Sequence, residues 1–218
     1  MSVLTPVEGL SRRLGVRRAA DTRRERLLIS RHPSGPLTES FRLLAANVEA
    51  LLAGNARRAL VVVSAHAGDG RSLVAANLAI ALAEQHRVLL VDENQRTLSG
   101  LFLSGNMLQR DGIPVSLRRS VLETNQMGIY IKPGADGAQR LHNDLASTID
   151  HASADGMYTI IDSPPASQSS DAFLLAQRAE NVLYVVRRDT ASMEVHRQIR
   201  RHLERLNANI IGLVLNEF

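Results

Sequence analysis

Ala-Leu-Val-Val-Val-Ser over residues 59–64, followed by Ala-His-Ala-Gly-Asp-Gly-Arg-Ser over residues 65–72, is the stretch that decides the fold. The apolar run is too short for a buried helix and too uniformly apolar for a half-exposed strand. It therefore predicts a central strand of a parallel sheet. The glycine-rich stretch after it predicts a tight turn into a helix that opens at Arg71 and Ser72.

Apolar runs of the same kind recur along the chain and alternate with helical patterns. Strands are predicted at residues 87–92, 157–162, 182–186 and 210–215, with a weaker candidate at 128–131. Helices are predicted at residues 72–85, 138–151, 169–179 and 190–207, and another, capped by Thr38, ends before Gly54. This alternation predicts an α/β fold, with a doubly wound, mainly parallel sheet and helices on both faces. Residues 97–126 show no clear period and are interpreted as an insertion over the site.

Residues 65–72, here called the phosphate loop, have the composition of a site for nucleotide phosphates. Glycines let backbone N–H groups turn toward an anion, the following helix presents its positive end, and a serine hydroxyl helps to hold Mg²⁺. The pattern predicts ATP and Mg²⁺ as cofactors; the alternative is a tight strand-to-helix turn without a ligand. The predicted nucleotide contacts are Ala67, Gly68, Asp69, Gly70, Arg71, Ser72 and Leu73.

Two aspartates end apolar runs and complete the predicted site. Asp92 follows Leu-Leu-Val, and Asp162 follows Ile-Ile and precedes Ser-Pro-Pro. Because parallel strands end at one edge of the sheet, both carboxylates are expected near the phosphate loop. Together with Ser72 they form the predicted metal site, since Mg²⁺ prefers oxygen ligands. Each aspartate alone has a plainer interpretation, the cap of the next turn or helix.

Composition and charge divide the chain into a basic tail, residues 1–35, and one domain, residues 36–218. Residues 1–31 carry a net charge of +5, whereas the rest of the chain carries −1. An anionic membrane face, an acidic protein or no dedicated partner at all are open alternatives for this tail. Nucleic acid is a further alternative but is not favoured, because the tail contains no aromatic residue that could stack on single-stranded bases. The absence of cysteine and of an apolar run near the roughly 18 residues of a membrane span predicts a cytoplasmic protein.

Several motifs resemble the bacterial tyrosine kinases of capsule and exopolysaccharide export, within the ParA/MinD branch of P-loop ATPases. Residues 36–47 resemble the Glu-x-x-Arg-x-x-Arg helix of that family, and residues 72–83 resemble the helix after its phosphate loop. Val-Asp-Glu-Asn-Gln-Arg at 91–96 resembles the second Asp-x-Asp-x-Arg element. Ile-Asp-Ser-Pro-Pro at 161–165 resembles the magnesium motif, and Gly-Leu-Val-Leu-Asn at 212–216 fits as well.

The resemblance implies ATP with Mg²⁺, tyrosine autophosphorylation, assembly into rings, and activation by a membrane-embedded chain-length regulator of the Wzz type. It implies that Asp92 and Asp162 hold Mg²⁺ or activate the tyrosine hydroxyl, and that Arg71 stands where the family has a phosphate-binding lysine. It also implies that Asn216 lies near the adenine. The implied location is the cytoplasmic side of the inner membrane.

Departures from the family pattern, three of them single-residue replacements, predict reduced, altered or lost phosphotransfer. Arg71 replaces the lysine, Asn94 replaces the second aspartate, and Ala45 replaces the second arginine of the helix at 36–47. The leading hypothesis is a tyrosine-kinase-like component that regulates polysaccharide export. The alternatives are a catalytically dead scaffold of the same system and a ParA/MinD-like positioning ATPase. Three tyrosines in predicted strands are expected to be core residues rather than phosphate acceptors: Tyr130, Tyr158 and Tyr184.

Overall fold

The computed structural model describes residues 34–94, 98–103, 113, 115–117, 120–133, 138–188 and 192–217, with the backbone alone at 138–143. The predicted tail, residues 1–35, therefore lies almost wholly outside the described residues. Within these ranges, no helix is both long and apolar enough to cross a membrane.

Strands and helices alternate along the chain, as the apolar runs predict. The helices are α1 (Pro36–Leu52), α2 (Arg71–Ala83), α3 (Ser99–Phe102), α4 (Ala138–Ala154), α5 (Asp171–Ala179) and α6 (Met193–Arg205). The strands are β1 (Ala59–Ser64), β2 (Val88–Asp92), β3 (Leu122–Glu123), β4 (Ile129–Pro133), β5 (Tyr158–Asp162), β6 (Asn181–Arg187) and β7 (Asn209–Asn216).

The strands form one seven-stranded sheet in the order β3-β4-β2-β5-β1-β6-β7. All neighbouring pairs are parallel except the short antiparallel pair of β3 with β4. Strand β1 lies between β5 and β6, and all of its side chains are buried. The phosphate loop therefore leaves the carboxyl edge in the middle of the sheet, which is where ligands bind in doubly wound folds.

Helices cover both faces of the sheet, so the apolar strands are buried on either side. Side chains of α1, α2 and α3 pack with one set of strand residues, and those of α4, α5 and α6 pack with the alternate set. This arrangement explains why the inner strands are uniformly apolar instead of alternating. The doubly wound α/β fold predicted from the sequence is confirmed.

Two details of the sequence prediction are wrong. Thr38 does not cap α1: the helix begins at Pro36 after an extended Gly35, and Thr38 is buried in its first turn. Proline suits the first helical position because the N–H group that it lacks would have no partner in the helix.

The described parts of residues 97–126 are not an insertion over the site. Their apolar side chains are buried in the two cores on either face of the sheet, and β3 extends the sheet beside β4. These buried residues are Leu98, Leu101, Phe102, Ile113, Leu117 and Val121.

The three tyrosines lie in strands β4, β5 and β6, and each is at most 7% exposed. Their assignment to the core is confirmed.

Candidate nucleotide-binding site

The phosphate loop turns between β1 and α2 through two glycines in left-handed conformations. Gly68 has φ +86° and Gly70 has φ +97°, a region that residues with a side chain rarely adopt. A Cβ atom at Gly70 would also lie 2.1 Å from Asn216 Nδ2. Gly70 is therefore required both by its backbone conformation and by the close approach of Asn216.

The loop is closed by its own polar groups. Asp69 Oδ2 accepts a hydrogen bond from the His66 backbone N–H at 2.7 Å, and the Ser64 hydroxyl donates to the His66 carbonyl oxygen at 3.0 Å. The Asp69 side chain is 1% exposed, so it shapes the loop from within. At the tip, Ala67 and Gly68 are exposed, whereas Leu73 is half-buried in the first turn of α2.

Arg71 points into the protein. Its Nε donates to the Ser163 carbonyl oxygen at 3.0 Å, and its Nη1 donates to Ser64 Oγ at 2.7 Å and to the His66 carbonyl oxygen at 3.1 Å. Burial lowers the pKa of this guanidinium, and the negative charges of Asp162 and Asp69 act in the opposite direction. In this arrangement Arg71 ties the loop to the residue after β5, and its contact with a phosphate stays a prediction.

Ser72, Asp162 and Asn94 come together at the start of α2. The Ser72 hydroxyl donates to Asp162 Oδ2 at 2.5 Å, and Asn94 Nδ2 donates to Ser72 Oγ at 3.1 Å and to Asp162 Oδ2 at 3.5 Å. The amide of Asn94 thus occupies the place beside Ser72 where the resemblance implies a second carboxylate. The sequence identified this position only as a departure from a pattern.

Asp162 is fully buried, and its second oxygen, Oδ1, has no hydrogen-bond partner among the described residues. Burial raises the pKa of the Asp162 carboxyl to about 7, although hydrogen bonding by Ser72 and the charge of Arg71 favour the ionised form.

Asp92 stands beside Asp162 in the register of β2 and β5. Its Oδ2 accepts hydrogen bonds from the backbone N–H of Ser99 at 2.7 Å and from the Ser99 hydroxyl at 2.8 Å. These bonds tie the end of β2 to the start of α3. Burial raises the pKa of Asp92 as well, and its Oδ1 has no hydrogen-bond partner in the described part of the chain.

The unpartnered oxygens give a physical test of the predicted metal site. A buried carboxylate oxygen without a donor is costly, and a divalent cation would satisfy it. Ser72, Asp162 and Asp92 supply the oxygen atoms that Mg²⁺ prefers, so the residues present fit the ion. Their direct contact with a metal stays a prediction.

Two residues from β6 and β7 also contact the phosphate loop. Asn216 Nδ2 donates to the Asp69 carbonyl oxygen at 2.9 Å, and its predicted contact with adenine stays a prediction. Arg187 Nη1 donates to the Gly68 carbonyl oxygen at 3.3 Å. Sequence reasoning missed Arg187, although its place at the end of the apolar run 182–186 put it at the edge that carries the loop.

The strand order, the glycine loop after β1 and the aspartates at the ends of β2 and β5 define the fold of a P-loop nucleoside triphosphatase. In sequence and fold, the chain is similar to bacterial tyrosine kinases. No protein-family model matches it.

Three proteins illustrate the sequence similarity. The putative tyrosine-protein kinase EpsB of Ralstonia nicotianae is 26% identical over 209 residues, which are 87% of this chain and 27% of EpsB. The succinoglycan biosynthesis transport protein ExoP of Rhizobium meliloti is 25% identical over 85% of this chain and 25% of its own. The tyrosine-protein kinase YwqD of Bacillus subtilis is 23% identical over 93% of this chain and 91% of its own. The chain thus spans about a quarter of EpsB and ExoP and nearly all of YwqD.

The fold of this chain is similar to that of several solved structures. The BceF tyrosine kinase domain superposes with a TM-score of 0.74 at 23% identity, covering 93% of this chain and 88% of its own. The kinase domain of Escherichia coli ETK gives 0.71 at 20% identity, over 87% and 79%. MinD of Pyrococcus horikoshii, in complex with Mg-ADP, gives 0.55 at 23% identity, over 74% and 70%.

Proposed function

We propose that this chain binds ATP with Mg²⁺ at the phosphate loop and acts as a tyrosine-kinase-like component that regulates the polymerisation and export of an exopolysaccharide or capsule. The similarity to EpsB, ExoP and YwqD supports the biological setting. The geometry of the loop and the strand ends supports the chemistry.

The observation that carries the proposal is the hydrogen bond from Ser72 Oγ to Asp162 Oδ2 at 2.5 Å. It joins the first turn of the helix after the phosphate loop to the carboxyl end of β5. Both partners are oxygen donors of the kind that Mg²⁺ selects, and Asp162 keeps a second buried oxygen, Oδ1, beside them. A bound divalent cation would satisfy this oxygen, whereas a turn without a ligand would leave it buried and unpartnered.

Different residues of the site bind the phosphates, bind Mg²⁺ and supply negative charge for phosphoryl transfer. The loop backbone binds the phosphates, Ser72 and Asp162 hold Mg²⁺, and Asp92 adds negative charge beside them. When bound, Mg²⁺ would neutralise the phosphate oxygens as negative charge develops. If Asp162 is ionised and not bound to Mg²⁺, it can instead accept a proton from an attacking hydroxyl group.

Calorimetry with Mg-ATP tests the proposal. Wild type is expected to bind with a dissociation constant in the micromolar range, and Asp162→Ala is expected to weaken binding at least about tenfold, because one charged ligand is lost. Asp155→Ala is the matched control, since Asp155 is exposed in the turn that precedes β5. Absence of binding by wild type at millimolar ATP would contradict the proposal.

A catalytically dead scaffold of the same system is the second candidate, and the position of Arg71 favours it. The guanidinium is 4% exposed and donates to three oxygens of the protein, so the reach toward a terminal phosphate that a loop lysine provides is not available in this arrangement. Labelled ATP separates the two candidates. Phosphate transfer to tyrosine that disappears in Asp162→Ala supports the kinase, whereas Mg-ATP binding without transfer supports the scaffold.

Three partners remain part of the proposal. They are a membrane-embedded chain-length regulator, other copies of this chain, and an anionic membrane face that attracts the arginines of residues 1–31. Sedimentation with anionic vesicles, with and without residues 1–31, tests the last of these. Loss of binding on deletion is expected, and equal binding by both forms would contradict a role of the tail.

A further inference from the structure

The phosphate loop is held by the neighbouring strands through two consecutive backbone carbonyl groups. Arg187 Nη1 donates to the oxygen of Gly68 at 3.3 Å, and Asn216 Nδ2 donates to the oxygen of Asp69 at 2.9 Å. Arg187 and Asn216 are register partners at the carboxyl ends of β6 and β7. Two side chains from adjacent strands thus each bind one of two consecutive peptide groups of the loop.

The direction of the loop's N–H groups follows from these two contacts. The described peptide bonds are all trans, and in a trans peptide the C=O and N–H vectors point to opposite sides. Because the carbonyls of Gly68 and Asp69 are turned toward Arg187 and Asn216, the N–H groups of Asp69 and Gly70 are turned away from β6 and β7. Strand β5, which carries Asp162, lies on that other side of β1.

The two glycines of the loop are matched to the two side chains. A Cβ atom at Gly70 would lie 2.1 Å from Asn216 Nδ2, so that position must lack one for Asn216 to reach the loop. A Cβ atom at Gly68 would lie 3.9 Å from Arg187 Nη1, which is ordinary contact. The loop and the ends of β6 and β7 thus fit each other independently of any ligand.

We propose that Arg187 and Asn216 are positioning residues that set the phosphate loop in the conformation that binds the polyphosphate chain of a nucleotide. This inference rests on the proposed function and adds a role for β6 and β7 in it. The two side chains act on the carbonyl side of the loop, while the N–H groups on the opposite side bind the anion. Arg187 therefore acts through the loop and not as a charge placed against a phosphate.

The test compares Arg187→Ala with Arg188→Ala and uses two ligands, Mg-ATP and inorganic tripolyphosphate. Arg188 is the matched control because it is the adjacent exposed arginine and its side chain pairs with Glu217 at 3.3 Å. Arg187→Ala is expected to weaken binding of both ligands by a similar factor of about ten, because the binding conformation of the loop becomes less populated when one charge-assisted hydrogen bond that favours it is lost. Arg188→Ala is expected to change either affinity less than about twofold.

Three further measurements identify a positioning role. Arg187→Ala should remain folded and unfold in one cooperative thermal transition, and Arg187→Lys, which keeps a cationic donor, should recover most of the affinity. Asn216→Ala should weaken tripolyphosphate binding too, although that ligand contains no adenine. The deficit of Arg187→Ala should persist in high salt, because a charge acting directly on a solvated phosphate would be screened.

Each contrary outcome overturns the inference. Equal affinities of Arg187→Ala and Arg188→Ala would show that the contact of Arg187 with the Gly68 carbonyl oxygen does not contribute to binding. A loss for Mg-ATP but not for tripolyphosphate would place Arg187 at the base or ribose, and a deficit that vanishes in high salt would make it a direct phosphate ligand. Failure of wild type to bind Mg-ATP would remove the proposed function and this inference with it, so the two failures are distinguished.

Discussion

The carboxyl group of Asp162 makes the stability of the ligand-free protein depend on pH. Burial raises its pKa to about 7 in the folded protein, whereas an aspartate in an unfolded chain titrates near 4. Between these values the folded state keeps a proton that the unfolded state has lost. The protonated carboxyl group therefore makes its full contribution to the free energy of unfolding below about pH 4. This contribution is lost as the pH rises to about 7.

Asp162→Asn is expected to stabilise the ligand-free protein at pH 8, by an amount on the order of 3 kcal/mol, because the charge of the Asp162 carboxylate is then no longer buried. The gain should shrink toward zero as the pH is lowered to 4. Thermal unfolding at pH 4, 6 and 8 measures it, with the exposed Asp155→Asn as the control. A stability difference that does not change with pH would contradict the raised pKa.

Arg71 is expected to tolerate lysine poorly, although the charge is kept. Its Nε and Nη1 donate in different directions, to the Ser163 carbonyl oxygen and to Ser64 Oγ, and a single ammonium group cannot span both. Arg71→Lys should lower the free energy of unfolding by about 1–3 kcal/mol, the cost of leaving a buried acceptor without its donor.

Urea denaturation measures this loss, and Arg178→Lys on the exposed side of α5 is the control. The control is expected to lie within about 0.5 kcal/mol of wild type. Equal unfolding midpoints for the two lysine variants would show that the guanidinium geometry is not required.

At the scale of elements, the junction of β1 and α2 depends on the backbone freedom of Gly70. Gly70→Ala would place a methyl group into Asn216 and force a residue with a side chain to φ +97°. The variant is expected to lose about 1–3 kcal/mol of stability and its affinity for Mg-ATP. Gly54→Ala is the control, because a Cβ atom there meets nothing within 4 Å. Urea unfolding and calorimetry measure both effects, and unchanged affinity in Gly70→Ala would contradict them.

Most elements could be predicted because apolar runs of four to eight residues between turn residues favour buried strands, and 3.6-residue periods favour helices. The strand predicted at 210–215 was found at Asn209–Asn216, and the weaker candidate at 128–131 was found at Ile129–Pro133. Strand β3 could not be predicted, because two residues carry no period and pair with β4 only through the tertiary fold. The helix start is predicted at Thr38 because threonine is a preferred capping residue, whereas Pro36 gives a competing signal for the first helical position, and the structure follows Pro36.

In the molecule as a whole, the residues that lie together at the site could be predicted from the sequence. The contacts that each of these residues makes were harder to predict. Asp92 and Asp162 could be placed together because the ends of parallel strands share one edge. The inward direction of Arg71 could not, since it depends on acceptors at Ser64 and Ser163 that only the packed sheet brings into reach. The contact of Arg187 with the loop could not be predicted from the sequence either, because it also depends on the packed sheet.

The carboxyl groups of Asp92 and Asp162 lie side by side, so binding of a metal ion between them would be coupled to the release of protons. Both pKa values are raised, so below neutral pH the ligand-free pair retains a proton that a bound cation must displace. Near pH 6, Mg-ATP binding should release up to about one proton, and its measured heat should therefore differ between cacodylate and Bis-Tris buffers, which both buffer near this pH but have different heats of ionisation. Asp162→Asn should abolish that difference, and equal heats for wild type in both buffers would contradict it. Loading of the nucleotide would then acidify the solution around the protein, so a pH-indicator dye could follow it without any label on the ligand.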